Sequence, residues 1–351
     1  RPRRKEIMGM PDNHPGRESA PDEILRERKR RIFSWRTMVF LAVSLLLAWL
    51  LLRQMDIAGT VDMIRKADPL LIAACCAVYV LSNISKMLRF RVMLGDYRIP
   101  LFDLFTITSY HNFSNMVFPA RTGELTFVYY LKKIGGVDMT KGLHILVVTR
   151  IFDFIIIAIY FLCSLVLFFG RETSVALVAA GIVFLVISVI ILFNLKWLVI
   201  LCGRLFHMAA DRPRYRDRPL VKKAMGLIDV LVGEFSSFKT GKFVPLLALT
   251  TMLVWAVLYF IFFLSIRALG VEVGFIQSVA GSTGSVLTNV LPINSFGSFG
   301  TLEAGWTGGF MLVGMGKQDA IFTGFGFHVI CLLASAIPAF FCFIAARIGK
   351  K

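Results

Sequence analysis

An apolar stretch interrupted halfway along its length constrains this chain more than any other feature. Residues 105–133 read FTITSYHNFSNMVFPARTGELTFVYYLKK, hydrophobic enough to enter a bilayer yet cut by Asn115, Pro119, Arg121, Gly123 and Glu124. Proline removes a backbone donor and disfavours helix at the residue before it, so the pattern predicts two half-helices meeting at a break. Each half holds about 10–14 residues and, at about 1.5 Å per residue, reaches only to the region of the bilayer midplane. Irregular backbone at that depth is tolerated only inside protein or beside a water-filled cavity. A second interrupted stretch spans 275–316, broken by Asn289, Pro292 and the run SFGSFG at 295–300, with Glu303 just beyond. Two broken apolar segments in matching places of two halves point to a transporter's binding site.

The rest of the chain fits a membrane setting. With 57% hydrophobic residues in 351 and a mean hydropathy of +0.72, the composition excludes a soluble enzyme and predicts an all-α polytopic membrane protein. Apolar runs at 37–52, 70–88, 143–169, 174–195, 243–269 and 318–347 predict six full spans. Around them lie a basic amino-terminal segment (1–36), a first membrane half (37–169) and a second (174–347). A polar insertion at 196–242 divides the second half. Within it Val221, Ala224, Met225, Ile228, Leu231, Val232 and Phe235 recur at helical spacing, which predicts an amphipathic helix on the membrane surface. A loop is expected over 86–103, carrying Arg89, Arg91 and Arg98. The chain begins at Arg1, and no cleavable signal peptide is evident. The six cysteines show neither CxxC nor Cys/His spacing, so no disulfide framework or metal site is expected.

The net charge of +17 resembles a nucleic-acid signal until it is placed along the chain. With a cytoplasmic amino terminus, 31 of the 39 Lys and Arg fall in cytoplasmic segments, 6 outside and 2 within the membrane. That asymmetry is the positive-inside rule, so topology accounts for the basic pI and no nucleic-acid partner is expected. Anionic headgroups at the cytoplasmic face are the expected electrostatic partners. Both termini are then cytoplasmic, and the location is the cytoplasmic (inner or plasma) membrane. In this orientation the first hairpin enters from the cytoplasm and the second from outside. The order span, span, re-entrant hairpin, span then repeats upside down, the inverted repeat that lets one site face either side.

Candidate functional residues cluster at the breaks. Arg121 with Glu124, and Arg150 with Asp153, lie three apart and share helix faces. Each pair either neutralises itself for packing or offers its arginine to an anionic headgroup, whose oxygens a planar guanidinium grips in two places. The helix carrying Arg121 is expected to start just after Pro119, so its amino end adds unpaired N–H groups. Gly297 and Gly300 permit unusual backbone, and Ser298 or Thr301 could cap the following helix; the run serves either as substrate contact or as a turn. Glu303, with no cation beside it in sequence, either pairs with a distant arginine such as Arg121 or holds a proton. Asn115 and Asn289 either satisfy broken backbone or meet a headgroup, as does Asn112. The histidines at 111, 144 and 328 read as packing groups. Gly305, Gly308, Gly309, Gly314 and Gly316 read as small residues that let helices approach closely. Nucleotide loops, HExxH and Ser-His-Asp spacings are all absent, so no catalytic residues and no cofactor are expected.

Taken together, Asn115-x3-Pro119-x-Arg121-x-Gly123-Glu124, Arg150-x2-Asp153, and Leu291-Pro292 followed by Gly297, Gly300 and Glu303 resemble the lysylphosphatidylglycerol synthase transmembrane (flippase-like) family. The likeness covers about 37–347. In multiple-peptide-resistance-factor proteins a domain of this kind moves aminoacylated phosphatidylglycerol between leaflets after a separate soluble domain has made it. No such synthase domain is found within this chain, so the resemblance implies translocation without aminoacyl transfer. The lipid is left open among phospholipids, aminoacylated phospholipids and polyprenyl-phosphate-linked lipids.

The expectation is therefore a lipid flippase working by alternating access on an anionic or phosphate-bearing lipid, not an enzyme. Its substrate-binding residues would be Asn115, Arg121, Glu124, Arg150, Asp153, Asn289, Ser298 and Glu303, with Pro119, Gly123, Pro292, Gly297 and Gly300 forming the structural breaks. Two other readings stand beside it. One is a membrane-embedded enzyme using Glu124, Asp153 and Glu303 on lipid-linked phosphate; the other is an ion-coupled transporter of a small solute. Assembly into a homo-oligomer stays open.

Overall fold

The computed structural model describes residues 67–95, 97–118, 122–170, 174–210, 243–290 and 299–348, apart from the side chains of 177, 209, 289 and 290. It also describes positions 49, 53 and 65 and several between 221 and 233. The main described segments form helices α1 (Pro69–Leu94), α2 (Leu101–Val117), α3 (Gly123–Gly135), α4 (Met139–Phe169), α5 (Val175–Ala210), α6 (Phe243–Ala268), α7 (Phe275–Val290), α8 (Thr301–Leu312) and α9 (Lys317–Ile348). Local chemistry sets their ends. At α1, Asp68 Oδ1 accepts from the amides of Leu70 (2.8 Å) and Leu71 (3.3 Å), with Pro69 at the first helical position.

Five of these helices, α1, α4, α5, α6 and α9, are long and apolar enough to cross a membrane. The expected span 37–52 lies outside the described residues, save Trp49. The remaining four helices pack as two pairs, α2 with α3 and α7 with α8. At 13 and 12 residues, α3 and α8 extend only about 18–20 Å, well short of a hydrocarbon core of about 30 Å. Pro119 and Arg121 fall between the arms of the first pair, and Pro292, Gly297 and Ser298 between those of the second; all lie outside the described residues.

Two expected boundaries are corrected. The loop expected from residue 86 does not begin there, because α1 continues through Lys86, Arg89 and Arg91 to Leu94. Lys86 and Arg89 are held by Asn112 and Asp153 on other helices, which a hydropathy pattern does not register, while Arg91 bonds the Tyr97 carbonyl just past the helix end. Similarly, α5 runs to Ala210, so the first part of the insertion 196–242 continues the span. Lys196 and Arg204 are exposed on its surface, while Leu198, Val199, Ile200 and Phe206 keep the apolar pattern going. Met225, Ile228 and Val232 of the expected amphipathic segment are helical. A methyl group at Gly203 of α5 would meet Val232 and Ile228, so that segment lies against the end of α5. His207 and Asp229 pair there at 2.8 Å.

Apolar packing forms two main clusters. One joins the second half of α1 to α2, α3 and the first half of α4, through Phe90, Leu104, Ile107, Phe127, Leu131 and Ile145. The other joins the second half of α4 to α6, α7, α8 and α9, through Ile156, Tyr259, Phe262, Trp306, Phe310 and Phe327. Inside the second cluster, α7 and α8 touch backbone to backbone. A methyl group on Gly284 would collide with Gly305 O, and one on Gly309 with Gly281 O. Of the glycines expected to allow close packing, Gly305 and Gly309 do so. Gly308 has open space around it, and Gly314 serves a turn at φ +85°.

Candidate functional site

A cavity of about 200 Å³ occupies the seam between the two clusters. Its wall takes Asn115, Phe118 and Glu124 from the ends of the first helix pair, and Ser285, Val286 and Leu302 from both arms of the second. α1 contributes Tyr79, Lys86, Arg89 and Phe90, spaced at three, four and seven residues and so on one helix face. α4 contributes Thr149, Arg150, Asp153, Phe154 and Ile157 by the same spacing, and α6 adds Trp255.

The charges in this wall form a continuous chain. Arg89 Nη1 donates to Asp153 Oδ1 at 2.5 Å, and Arg150 Nη1 to Asp153 Oδ2 at 3.1 Å. Arg150 Nη2 reaches Glu124 Oε1 at 3.1 Å, which ties α3 to α4. Trp255 Nε1 also donates to Asp153 Oδ1, at 2.9 Å. Arg89 and Asp153 are almost wholly buried, with side chains 5% and 4% exposed, whereas Arg150 keeps 29% and Glu124 19%. Burying a charged pair costs desolvation, and only further hydrogen bonds make the arrangement tolerable; Asp153 has three donors for that reason. Among the described residues, Arg150 Nε is buried without a hydrogen-bond partner.

Lys86 is held differently. Its ammonium donates to Asn112 Oδ1 at 3.2 Å; Asn112 Nδ2 donates to Asn83 Oδ1, and Asn83 Nδ2 to Ser109 Oγ at 3.5 Å. This amide ladder between α1 and α2 orients the ammonium without neutralising it. Lys86, Arg89 and Arg150 face two carboxylates, leaving the described wall with one surplus positive charge. Asn115 bonds His111 at 3.2 Å, and the close approach of Gly123 to Asn115 leaves no room for a Cβ there. Gly123 is thus needed for α3 to pack directly on α2.

The structure therefore brings together Asn115, Glu124, Arg150 and Asp153 of the sequence-derived set. Arg121 and Ser298 lie outside the described residues, as does the side chain of Asn289. Glu303 is placed elsewhere: it is fully buried and absent from the cavity wall, bonding His328 Nδ1 at 2.5 Å and accepting from Gly300 N at 2.6 Å. Among the described residues Glu303 meets a histidine and the amide at the start of its own helix, where Gly300 takes φ +85°. Lys86, Arg89, Asn83 and Trp255 escaped the sequence reading. The first three share the α1 face with Tyr79, and that polar spacing inside an apolar run was the available signal. No group of three or more His, Cys, Asp or Glu side chains suited to a metal occurs among the described residues.

The sequence profile of the lysylphosphatidylglycerol synthase TM region matches residues 38–339. The chain belongs to this family. Over 133 residues it is also 29% identical to glycosyltransferase AglD of Haloferax volcanii, covering 37% of this chain and 20% of that protein. The chain thus spans about one fifth of that relative's length. No solved structure matches it.

Proposed function

We propose that this protein is a lipid flippase that carries an anionic, phosphate-bearing lipid between leaflets by alternating access. The observation that carries the reading is the cavity wall itself. Guanidinium and ammonium groups from α1 and α4 converge at the facing ends of two short helix pairs, with one positive charge in surplus. An ionised phosphodiester brings one negative charge and two acceptor oxygens, which fits that surplus and the partly exposed Arg150 guanidinium, whose Nη groups also hold Asp153 and Glu124. In this reading α2–α3 and α7–α8 are re-entrant hairpins entering from opposite faces, and the two halves are inverted copies that rock about the site. The asymmetry of basic residues supports cytoplasmic termini, and moving Lys86 and Arg89 from a loop into the cavity leaves that asymmetry intact. Family membership supports a lipid substrate.

A membrane enzyme using Asp153 as acid or base fits the geometry less well, because both of its oxygens are engaged by arginines and an indole. The deciding experiment uses proteoliposomes with tail-labelled phosphatidylglycerol and, as a zwitterionic comparison, tail-labelled phosphatidylcholine. An impermeant quencher reads leaflet exchange. Arg150→Ala and Lys86→Ala should each lower phosphatidylglycerol exchange about tenfold, the loss expected for one charge-assisted hydrogen bond. Unchanged exchange in both variants would remove the cavity from transport.

A further inference from the structure

Beside the charged cavity lies a second hollow of about 320 Å³, bounded by α4, α5, α7 and α8. Ile157 lines both hollows. Phe154, on the cavity side, meets Phe184, on the groove side, edge to face with centroids 5.9 Å apart. A thin apolar partition therefore separates a charged compartment from an uncharged one. Among the residues lining the groove only Thr283 has a polar side chain, and its hydroxyl is already bonded to Tyr259 (3.1 Å) and Val279 O (2.9 Å). Ala180, Leu287 and Leu312 on its rim are exposed, so the groove opens sideways, on the apolar flank of the helices.

We infer that this groove holds one hydrocarbon tail of the lipid whose headgroup occupies the charged cavity; the inference rests on the flippase reading above. The two hollows match the two ends of one amphiphile, and Ile157 with the Phe154–Phe184 contact marks where head gives way to tail. A tail moving from bilayer to groove exchanges one apolar environment for another, so the groove adds little affinity. Its contribution is geometric: it lets a headgroup reach Arg150 and Lys86 without dragging its tail across charged side chains, which burial in a polar wall would penalise. Small residues suit this use, since Ala180, Gly181, Gly284 and Gly309 add little side chain to its lining.

The test uses the full chain in proteoliposomes with phosphatidylglycerol bearing a photoreactive diazirine midway along one tail. Crosslinks should concentrate on Phe161, Leu165, Leu287 and Leu312. Ala180→Trp, which fills the groove from α5, should cut that crosslinking and phosphatidylglycerol exchange about tenfold, as overpacking of a fitted site does. Water-soluble glycerophosphoglycerol should protect the cavity from an arginine-directed reagent equally in wild type and variant. Leu287→Trp serves as a second blocking variant should Ala180→Trp not yield folded protein. Crosslinks spread evenly over lipid-facing Val183, Val186 and Phe193, or exchange that depends on Arg150 but ignores both tryptophans, would overturn the groove and leave the flippase reading standing. Groove crosslinks sensitive to Ala180→Trp without any exchange would instead refute the flippase reading and leave a lipid-binding groove.

Discussion

Asp153→Asn is the most informative single change in the charged chain. The amide keeps the shape and an acceptor for Trp255 Nε1, but it removes the charge that Arg89 and Arg150 share. Arg89 bears the consequence: its side chain is only 5% accessible, so it has little water to turn to. Removing one partner of such a buried pair costs about 3–5 kcal/mol, because the remaining charge stays buried and uncompensated. Arg89→Met alone should cost less, since Asp153 retains Arg150 at 3.1 Å and Trp255 at 2.9 Å. Adding Arg89→Met to Asp153→Asn removes the orphaned charge and should recover about 2 kcal/mol relative to Asp153→Asn alone, a coupling within the range for groups in direct contact. Reversible unfolding in mixed micelles with increasing denaturing detergent measures all four proteins. An Asp153→Asn variant within about 1 kcal/mol of wild type, or a double variant as unstable as the two singles added together, would refute the claim that the network is held by mutual burial.

Three further outcomes are expected. Gly309→Leu should collapse the folded, monodisperse fraction in detergent, because its side chain meets Gly281 backbone, whereas Gly308→Ala, with open space around it, should match wild type. His328→Leu should destabilise more than the paired change His328→Leu with Glu303→Leu, since the single variant strands a fully buried carboxylate; the same detergent titration separates them by about 2 kcal/mol. In a cysteine-free background, single cysteines at Asp138 and Glu272 should react with an impermeant maleimide from opposite sides of right-side-out vesicles. Labelling of both from one side would contradict opposed hairpins.

Much of this architecture is legible in the amino-acid sequence. Pro119 and Gly123 announced the first break, Asp68-Pro69 the start of α1, and Arg150-x2-Asp153 the pair that the structure closes at 3.1 Å. Other parts were hidden for identifiable physical reasons. Hydropathy penalises a cation wherever it sits, so Lys86 and Arg89 ended a span in the pattern while α1 in fact continued for two more turns. Their burial depends on Asp153, 64 positions beyond Arg89, and on Asn112, and local spacing holds no such information. Glu303 illustrates the same limit. Its chemistry was recognised, but His328, 25 residues on, is brought to it only by the packing of α8 on α9. Trp255 is one aromatic among many in an apolar helix until its indole is seen to reach Asp153.

The glycine contacts between α7 and α8 have a mechanical consequence. Gly281, Gly284, Gly305 and Gly309 leave no side-chain padding between the two rods, so neither can slide or roll against its neighbour without backbone atoms colliding. In the alternating-access reading the pair therefore moves as one stiff unit, which links its root near Gly314 to Ser285 and Leu302 at the cavity wall.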